Sequence, residues 1–208
     1  MAKTIHMKPD VKLFWMDAET TGLDPLKQEM TQVAAIMEVN GAVVDELNVF
    51  MRPSRPICIQ DQALQVQGKT RQQVMAYPLR KIGFGKLTAF LDKWCNKLDA
   101  DDKLLWSGQN PEFDISFARE EFKVHGNGFF KAYFGYHKLD LITVAVMMRH
   151  LGLFAPKNFK LTTMAETLGI EYNAHDALAD IKTTRQIWCI FLDKLKSQGG
   201  PRKQLSFL

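Results

Sequence analysis

"LFWMDAETTG", from Leu13 to Gly22, decides the fold. Val11 to Asp17 is β-branched, aromatic and apolar, and "TGLDP" follows as a turn, so the segment reads as a first strand entering a core. Its end is unusual, because Asp17 and Glu19 stand two residues apart. Strand side chains alternate between faces, so the two carboxylates project together if the strand continues through Ala18. A strand's C-terminal edge is where sites in α/β sheets form.

Reading outward, "MTQVAAIMEV" (30–39) and "AVVDELNVF" (42–50) flank Asn40-Gly41. Asn-Gly between two such runs predicts an antiparallel hairpin. Short helices are expected between Ile57 and Val74. A longer helix is expected from Leu79 to Leu98, with Ile82, Leu87, Phe90, Leu91 and Trp94 on its apolar face. "KLLWSG" (103–108) is a strand, and Pro111 opens a helix that runs to about Lys123. Gly126 and Gly128 mark a break. "LDLITVAVMMRHLG" and "LTTMAETLG" are helices closed by Gly152 and Gly169, and a last helix spans about Asp176 to Lys196. A hairpin followed by strand–helix alternation gives the α/β class, a mixed sheet covered by helices.

The chain has 208 residues, a hydrophobic share of 46%, a charged share of 24% and a net charge of +4. These values fit one globular domain and permit an anionic partner without demanding one. Cys58, Cys95 and Cys189 are widely spaced and form neither a CxxC pair nor a zinc pattern, as in a reducing compartment. "MAKTIHMKPDVK" lacks the apolar core of a signal peptide, and "LITVAVMM" is too short to span a bilayer. The expectation is a cytoplasmic protein with no membrane partner.

Two further stretches carry acids. Asp114 in "GQNPEFDISF" lies in the first turn of a helix that follows a strand, beside the core candidates Phe113 and Phe117. In "NAHDALADIKTT", His175 stands at the entrance of the last helix and Asp180 lies five residues on, with Asp176 suited to cap that helix. Each acid alone reads as a solvated or capping residue. Together, four carboxylates on separate elements could converge at one sheet edge. Two unit charges about 4 Å apart repel by about 4 kcal/mol at an effective dielectric near 20. Divalent cations remove that repulsion, and oxygen-only ligands suit Mg²⁺ and Mn²⁺.

The three pieces, in this order, resemble the DEDDh (DnaQ-like) family of 3′→5′ exonucleases, which includes the proofreading epsilon subunit and ribonuclease T. D-x-E-x-T-G appears as "DAETTG", N-x-x-x-F-D-x-x-F as "NPEFDISF", and H-x-A-x-x-D as "HDALAD". The resemblance covers about Val11 to Lys196. It implies a ribonuclease H-like fold, a mixed five-stranded sheet with an N-terminal antiparallel meander, flanked by helices. It implies two metals held by Asp17, Glu19, Asp114 and Asp180, with Asp17 bridging. His175 would take the proton of the attacking water, since imidazole titrates near neutral pH. The products would be nucleoside 5′-monophosphates.

Binding residues follow from the same resemblance. Thr20 would contact the terminal 3′-hydroxyl through its backbone, and Leu23 would pack against the last bases. Asn110 would order the loop before Asp114 or touch the strand, while Asp140 is read as structural. Many relatives carry His-Gly where this chain has Gln67-Gly68; Gln67 can donate a hydrogen bond but cannot become cationic. Nucleic acid is the expected partner, with single-stranded DNA or 3′ ends preferred. An exoribonuclease is the alternative within the fold, and a non-catalytic nucleic-acid scaffold the alternative outside it.

"FFKAYFGYHK" (129–138) reads as a strand and loop at the sheet edge, although aromatics among lysines also suit stacking on single strands. The expected organisation is an arm over 1–10, the exonuclease domain over 11–197 and a tail over 198–208. The tail ends in "QLSFL", in which Gln204, Leu205, Phe207 and Leu208 look like a bacterial sliding-clamp-binding peptide. A Gly-Gly tether would raise the local concentration of the enzyme near DNA.

Overall fold

The computed structural model describes residues 10–171 and 175–198. The N-terminal arm before Asp10, Asn173-Ala174 of the third motif, and the tail peptide Gln204, Leu205, Phe207 and Leu208 lie outside the described residues.

Five strands form one sheet: β1 (Lys12–Thr20), β2 (Met30–Val39), β3 (Ala42–Phe50), β4 (Leu104–Gly108) and β5 (Phe134–Asp140). Their order is β3-β2-β1-β4-β5. β1, β2 and β3 run antiparallel, whereas β4 and β5 run parallel to β1. The meander turns at Asn40 (φ 52°) and Gly41 (φ 88°). Two successive positive φ values are what a tight hairpin loop requires, and Asn-Gly tolerates them best. The expected mixed five-stranded α/β architecture is therefore present, and β1 continues two residues past Ala18, as the shared face of Asp17 and Glu19 required.

Eight α-helices complete the described chain. Two short ones, α1 (Asp61–Val66) and α2 (Arg71–Met75), follow a single 3₁₀ turn; α3 (Arg80–Trp94) and α4 (Glu112–Val124) come next. Then follow α5 (Phe130–Tyr133), α6 (Leu141–His150), α7 (Leu161–Thr167) and α8 (Ala177–Ser197). The helix expected over Leu79 to Leu98 is shorter at its C-terminus, because Cys95 is already extended. Ile82, expected on its buried face, is 46% exposed; Gly83, Phe84, Leu87, Phe90 and Leu91 form that face instead. The turn α5 was not foreseen. The aromatic stretch otherwise behaves as expected, passing through α5 into the edge strand β5. Cys58, Cys95 and Cys189 are free thiols.

Alternation along β1 splits the molecule into layers. Phe14, Met16 and Ala18 face one side, in a core with Phe84, Phe90, Trp106, Phe117, Phe122 and Phe134. Leu13 and Trp15 face the other, packed with Ala34, Ile36, Ala177 and Ile181, so α8 covers that face. Asp17 and Glu19 continue the odd-numbered row and point toward α8, the helix that carries Asp180. Glu38 fixes the register of this contact: it accepts from Trp15 Nε1 at 3.1 Å and from Arg185 Nε on α8 at 2.7 Å.

Candidate active site

Asp17, Glu19 and Asp180 each offer a carboxylate oxygen within 4.8 Å of the others. β1 supplies two because they are two residues apart on one strand face. α8 supplies the third because Asp176 ends the loop as its N-cap, accepting from Leu178 N at 3.2 Å and Ala179 N at 3.1 Å. That cap sets the first helical turn and so the direction of Asp180. One oxygen of Asp180, Oδ1, is buried and has no hydrogen-bond partner among the described residues. A buried lone pair without a donor is costly unless something binds there.

Asp114 arrives from the other layer. It is buried, and its Oδ1 accepts from the Ala18 backbone N–H at 3.1 Å, between the two β1 acids. The structure thus brings three of the four expected acids into one tight cluster and locks the fourth against the backbone of β1.

Among the described residues no lysine or arginine forms an ion pair with this group. Burial, followed by repulsion from Asp114, Asp180, Glu19 and Asp176, holds Asp17 well above the usual carboxylate range. Burial and the charges of Asp180 and Asp176 raise Glu19 to about 7, against a downward pull from Lys69. Burial raises Asp114 to about 8 despite the Ala18 hydrogen bond. Burial raises Asp180 to about 6, and the His175 backbone N–H and ring pull it down. Perturbed carboxyl groups gathered in a cleft mark a functional site.

The cleft is about 600 Å³ and is lined by Asp17, Asn110, His175 and Asp180. His175 is exposed, with φ at 68°, on the residue before the Asp176 cap. Asn110 also has positive φ (53°), and its N–H donates to Asp140 Oδ1 at 3.0 Å. Asp140 caps α6 through Ile142 N at 2.9 Å. The structural role read for Asp140 and the loop-ordering role read for Asn110 therefore share one hydrogen bond.

The turn after Glu19 holds the remaining expected residues. Thr20 is buried, and its Oγ1 donates to Gly22 O at 2.6 Å. Gln67 Nε2 donates to Thr20 O at 2.7 Å and is itself buried. Gln67 thus braces the turn by its neutral donor. Leu23 is 78% exposed, so it does not pack beneath the turn and is open to a ligand. Six residues lining the cleft were not foreseen: Gln109, Ile142, Phe159, Lys160, Leu161 and Thr162. Gln109 Nε2 donates to Phe159 O at 2.7 Å, which ties the loop before α7 to the end of β4. Nothing in the spacing of "NFKLTT" marks this loop, because its place depends on a contact across 50 residues.

With this geometry in place, comparison with known proteins is informative. The family model described as "Exonuclease", of the RNase T type, matches residues 14–188. The chain belongs to this DEDDh, DnaQ-like exonuclease family. It is 26% identical over 192 residues to the PolC-type DNA polymerase III of Thermotoga maritima, covering 91% of this chain and 12% of the polymerase. The PolC-type polymerase of Caldanaerobacter subterraneus is 28% identical over 184 residues, with 88% and 12% covered. The chain therefore spans about an eighth of the length of these curated relatives. Among solved structures, Escherichia coli exonuclease I in its zinc-bound single-stranded DNA complex superposes with a TM-score of 0.72 at 24% identity, covering 90% of this chain and 41% of that one. Exonuclease I of Methylocaldum szegediense gives 0.70 at 21%, again covering 90% and 41%. These likenesses establish the ribonuclease H-like fold.

Proposed function

We propose that the protein is a metal-dependent 3′→5′ exonuclease that removes nucleoside 5′-monophosphates from the 3′ ends of single-stranded DNA. One observation carries this reading: three carboxylates from β1 and α8 meet within 4.8 Å, with Asp180 Oδ1 buried and without a hydrogen-bond partner among the described residues. Such a donor set, oxygen only, fits hard divalent ions, Mg²⁺ or Mn²⁺. Asp17, Glu19 and Asp180 would hold them, with Asp114 completing the set. Ions there would lower the pKa of a water and neutralise charge developing on the phosphate.

The chain's own residues supply the rest. His175, on the rim of the cleft, accepts the proton of the attacking water. The water oxygen forms a new bond to phosphorus, the bond to the O3′ of the preceding nucleotide breaks, and the terminal 5′-monophosphate leaves. Thr20 and the exposed Leu23 receive the terminal nucleotide, Gln67 holds the Thr20 carbonyl in place, and Asn110 borders the strand. DNA as substrate is supported by the relatives, which are DNA polymerases, and by structural neighbours solved with single-stranded DNA.

The test uses 5′-labelled single-stranded DNA, duplex DNA and RNA with Mg²⁺ or Mn²⁺. The expected result is a ladder shortening from the 3′ end of single-stranded DNA, abolished by EDTA and by Asp180→Ala. Activity unchanged in Asp180→Ala would sink the site, and degradation of RNA alone would overturn the DNA preference.

A further inference from the structure

A second groove, of about 860 Å³, lies along the outer edge of β5. Four cations line it, Lys103, Arg119, Lys131 and Lys138, against the single acid Glu112. Glu112 pairs with Lys138 and lies 3.6 Å from Arg119, which leaves the groove strongly positive. Lys131 is exposed and makes no ion pair among the described residues. Tyr136 is fully exposed, at 101%, so its ring stands in water. A ring so placed offers its whole face to a ligand in the groove.

The strand β5 leads from the groove toward the rim of the acidic cleft. β5 runs parallel to β1 and ends at Asp140, which accepts from the N–H of the cleft residue Asn110. Three residues lie between Tyr136 and Asp140, a path of at most about 13 Å along the strand. A cationic groove with an aromatic platform is the arrangement that binds single strands, through phosphate neutralisation and base stacking. A peptide strand pairing with this edge is disfavoured by Lys138 and by the net positive charge, both of which protect edges from β-pairing.

We propose that the β5 edge is a second binding segment for single-stranded nucleic acid, holding the strand 5′ of the nucleotides in the cleft. Tyr136 stacks a base, and Lys131 and Arg119 face phosphates. The proposal rests on the exonuclease reading and extends it from the terminal nucleotide to the length of strand required.

The experiment compares the native full-length protein with Tyr136→Ala/Lys131→Ala. Binding of labelled 5-nucleotide and 25-nucleotide deoxythymidine oligomers is measured in EDTA across a salt series. Hydrolysis of a thymidine 5′-monophosphate nitrophenyl ester is followed with Mn²⁺. The variant should bind the 25-mer about tenfold or more weakly. Its log–log salt slope should be shallower by about 0.7, one phosphate contact. Binding of the 5-mer and ester hydrolysis should be unchanged, and Tyr136→Trp should retain native affinity. Equal affinity of native and variant proteins for the 25-mer overturns the second segment and leaves the exonuclease reading standing. A native protein that shortens no 3′ end with either metal overturns the exonuclease reading instead.

Discussion

Two clusters of buried acids flank the turn that follows β1, and they are built on opposite terms. Glu29, at the far side of the turn, and Glu121, on α4, surround the Arg80 guanidinium. Arg80 binds Glu121 bidentately, through Nε at 2.9 Å and Nη2 at 2.7 Å, and its Nη1 donates to Glu29. Glu29 also accepts from Ser54 N at 2.8 Å, Ser54 Oγ at 2.6 Å and Arg55 N at 2.9 Å. Although burial opposes it, those donors and Arg80 hold the Glu29 carboxyl below its ordinary range. Asp17, Glu19 and Asp180 make no ion pair with Lys or Arg among the described residues, and despite the weak pull of Lys69 and His175 all three are pushed up. The charge of the fully buried pair is answered, and that of the half-buried acids at the end of β1 is not.

The contrast can be broken first at the unanswered cluster. Asp17→Asn and Asp180→Asn should each lower the rate of 3′-end release by about 10³-fold or more, as loss of a group that stabilises transition-state charge does. Both should leave melting in EDTA unchanged or raise it by a few degrees, since each removes a repelling charge. A fall in melting temperature of the metal-free protein would mean that these acids hold the fold.

The answered cluster should respond the other way. Arg80→Met takes away the cation shared by two buried carboxylates and leaves them only Ser54, Arg55 and His125, a cost of about 3–5 kcal/mol. Melting should fall by about 10 °C. Calorimetry finding native stability in Arg80→Met would erase the distinction.

Proton and metal linkage comes next in size. Glu19, Asp180 and Asp114 titrate at about 7, 6 and 8 in the folded protein, against values near 4 in the unfolded chain. The folded state then holds more protons between pH 4 and 8, so these groups' contribution to stability is complete below about pH 4 and is lost as pH rises to 8. At 100 times its dissociation constant, Mg²⁺ or Mn²⁺ should restore about 2.7 kcal/mol, or about 5–10 °C. At one fixed ion concentration the gain should be larger at pH 8 than at pH 5, because protons compete with the ion and weaken its binding. A metal-induced shift in melting that shrinks as pH rises would contradict the assignment.

The smallest effects lie in the turn between the clusters. Gln67→Ala leaves the buried Thr20 carbonyl without its donor and should cost about 1–3 kcal/mol in unfolding experiments. Leu23→Ala, at an exposed site, should stay within about 0.5 kcal/mol of native stability. Its KM for oligonucleotides should nevertheless rise severalfold. Native KM in that variant would return Leu23 to ordinary surface.

The acidic cluster was more legible in sequence than the Arg80 cluster, for a physical reason. Asp17 and Glu19 announce themselves by spacing on one strand, and His175, Asp176 and Asp180 by spacing at one helix entrance. The hairpin was equally plain, since Asn40-Gly41 supplies the two backbone conformations its turn needs. Glu29, Arg80 and Glu121 sit on three elements 41 and 51 residues apart, and no local period relates them. The exposure of Ile82 has a similar origin: the contact of α3 with β3 selected Gly83 and Leu87, where the Cβ of any larger residue at Gly83 would meet Met51. Asp114 was found as an acid beside core aromatics, but its bond to Ala18 N needed the fold to bring α4 under β1.

The length of α8 sets a scale for instrumenting this protein. Asp180 lies in its first turn and Gln198 caps its far end. At 1.5 Å per residue, the eighteen steps between them span about 27 Å. A fluorophore attached at the distal cap would stand well outside the chemistry yet share one rigid axis with it. Paired with a dye on a bound oligonucleotide, it would read the position of the strand as a ruler with a fixed origin.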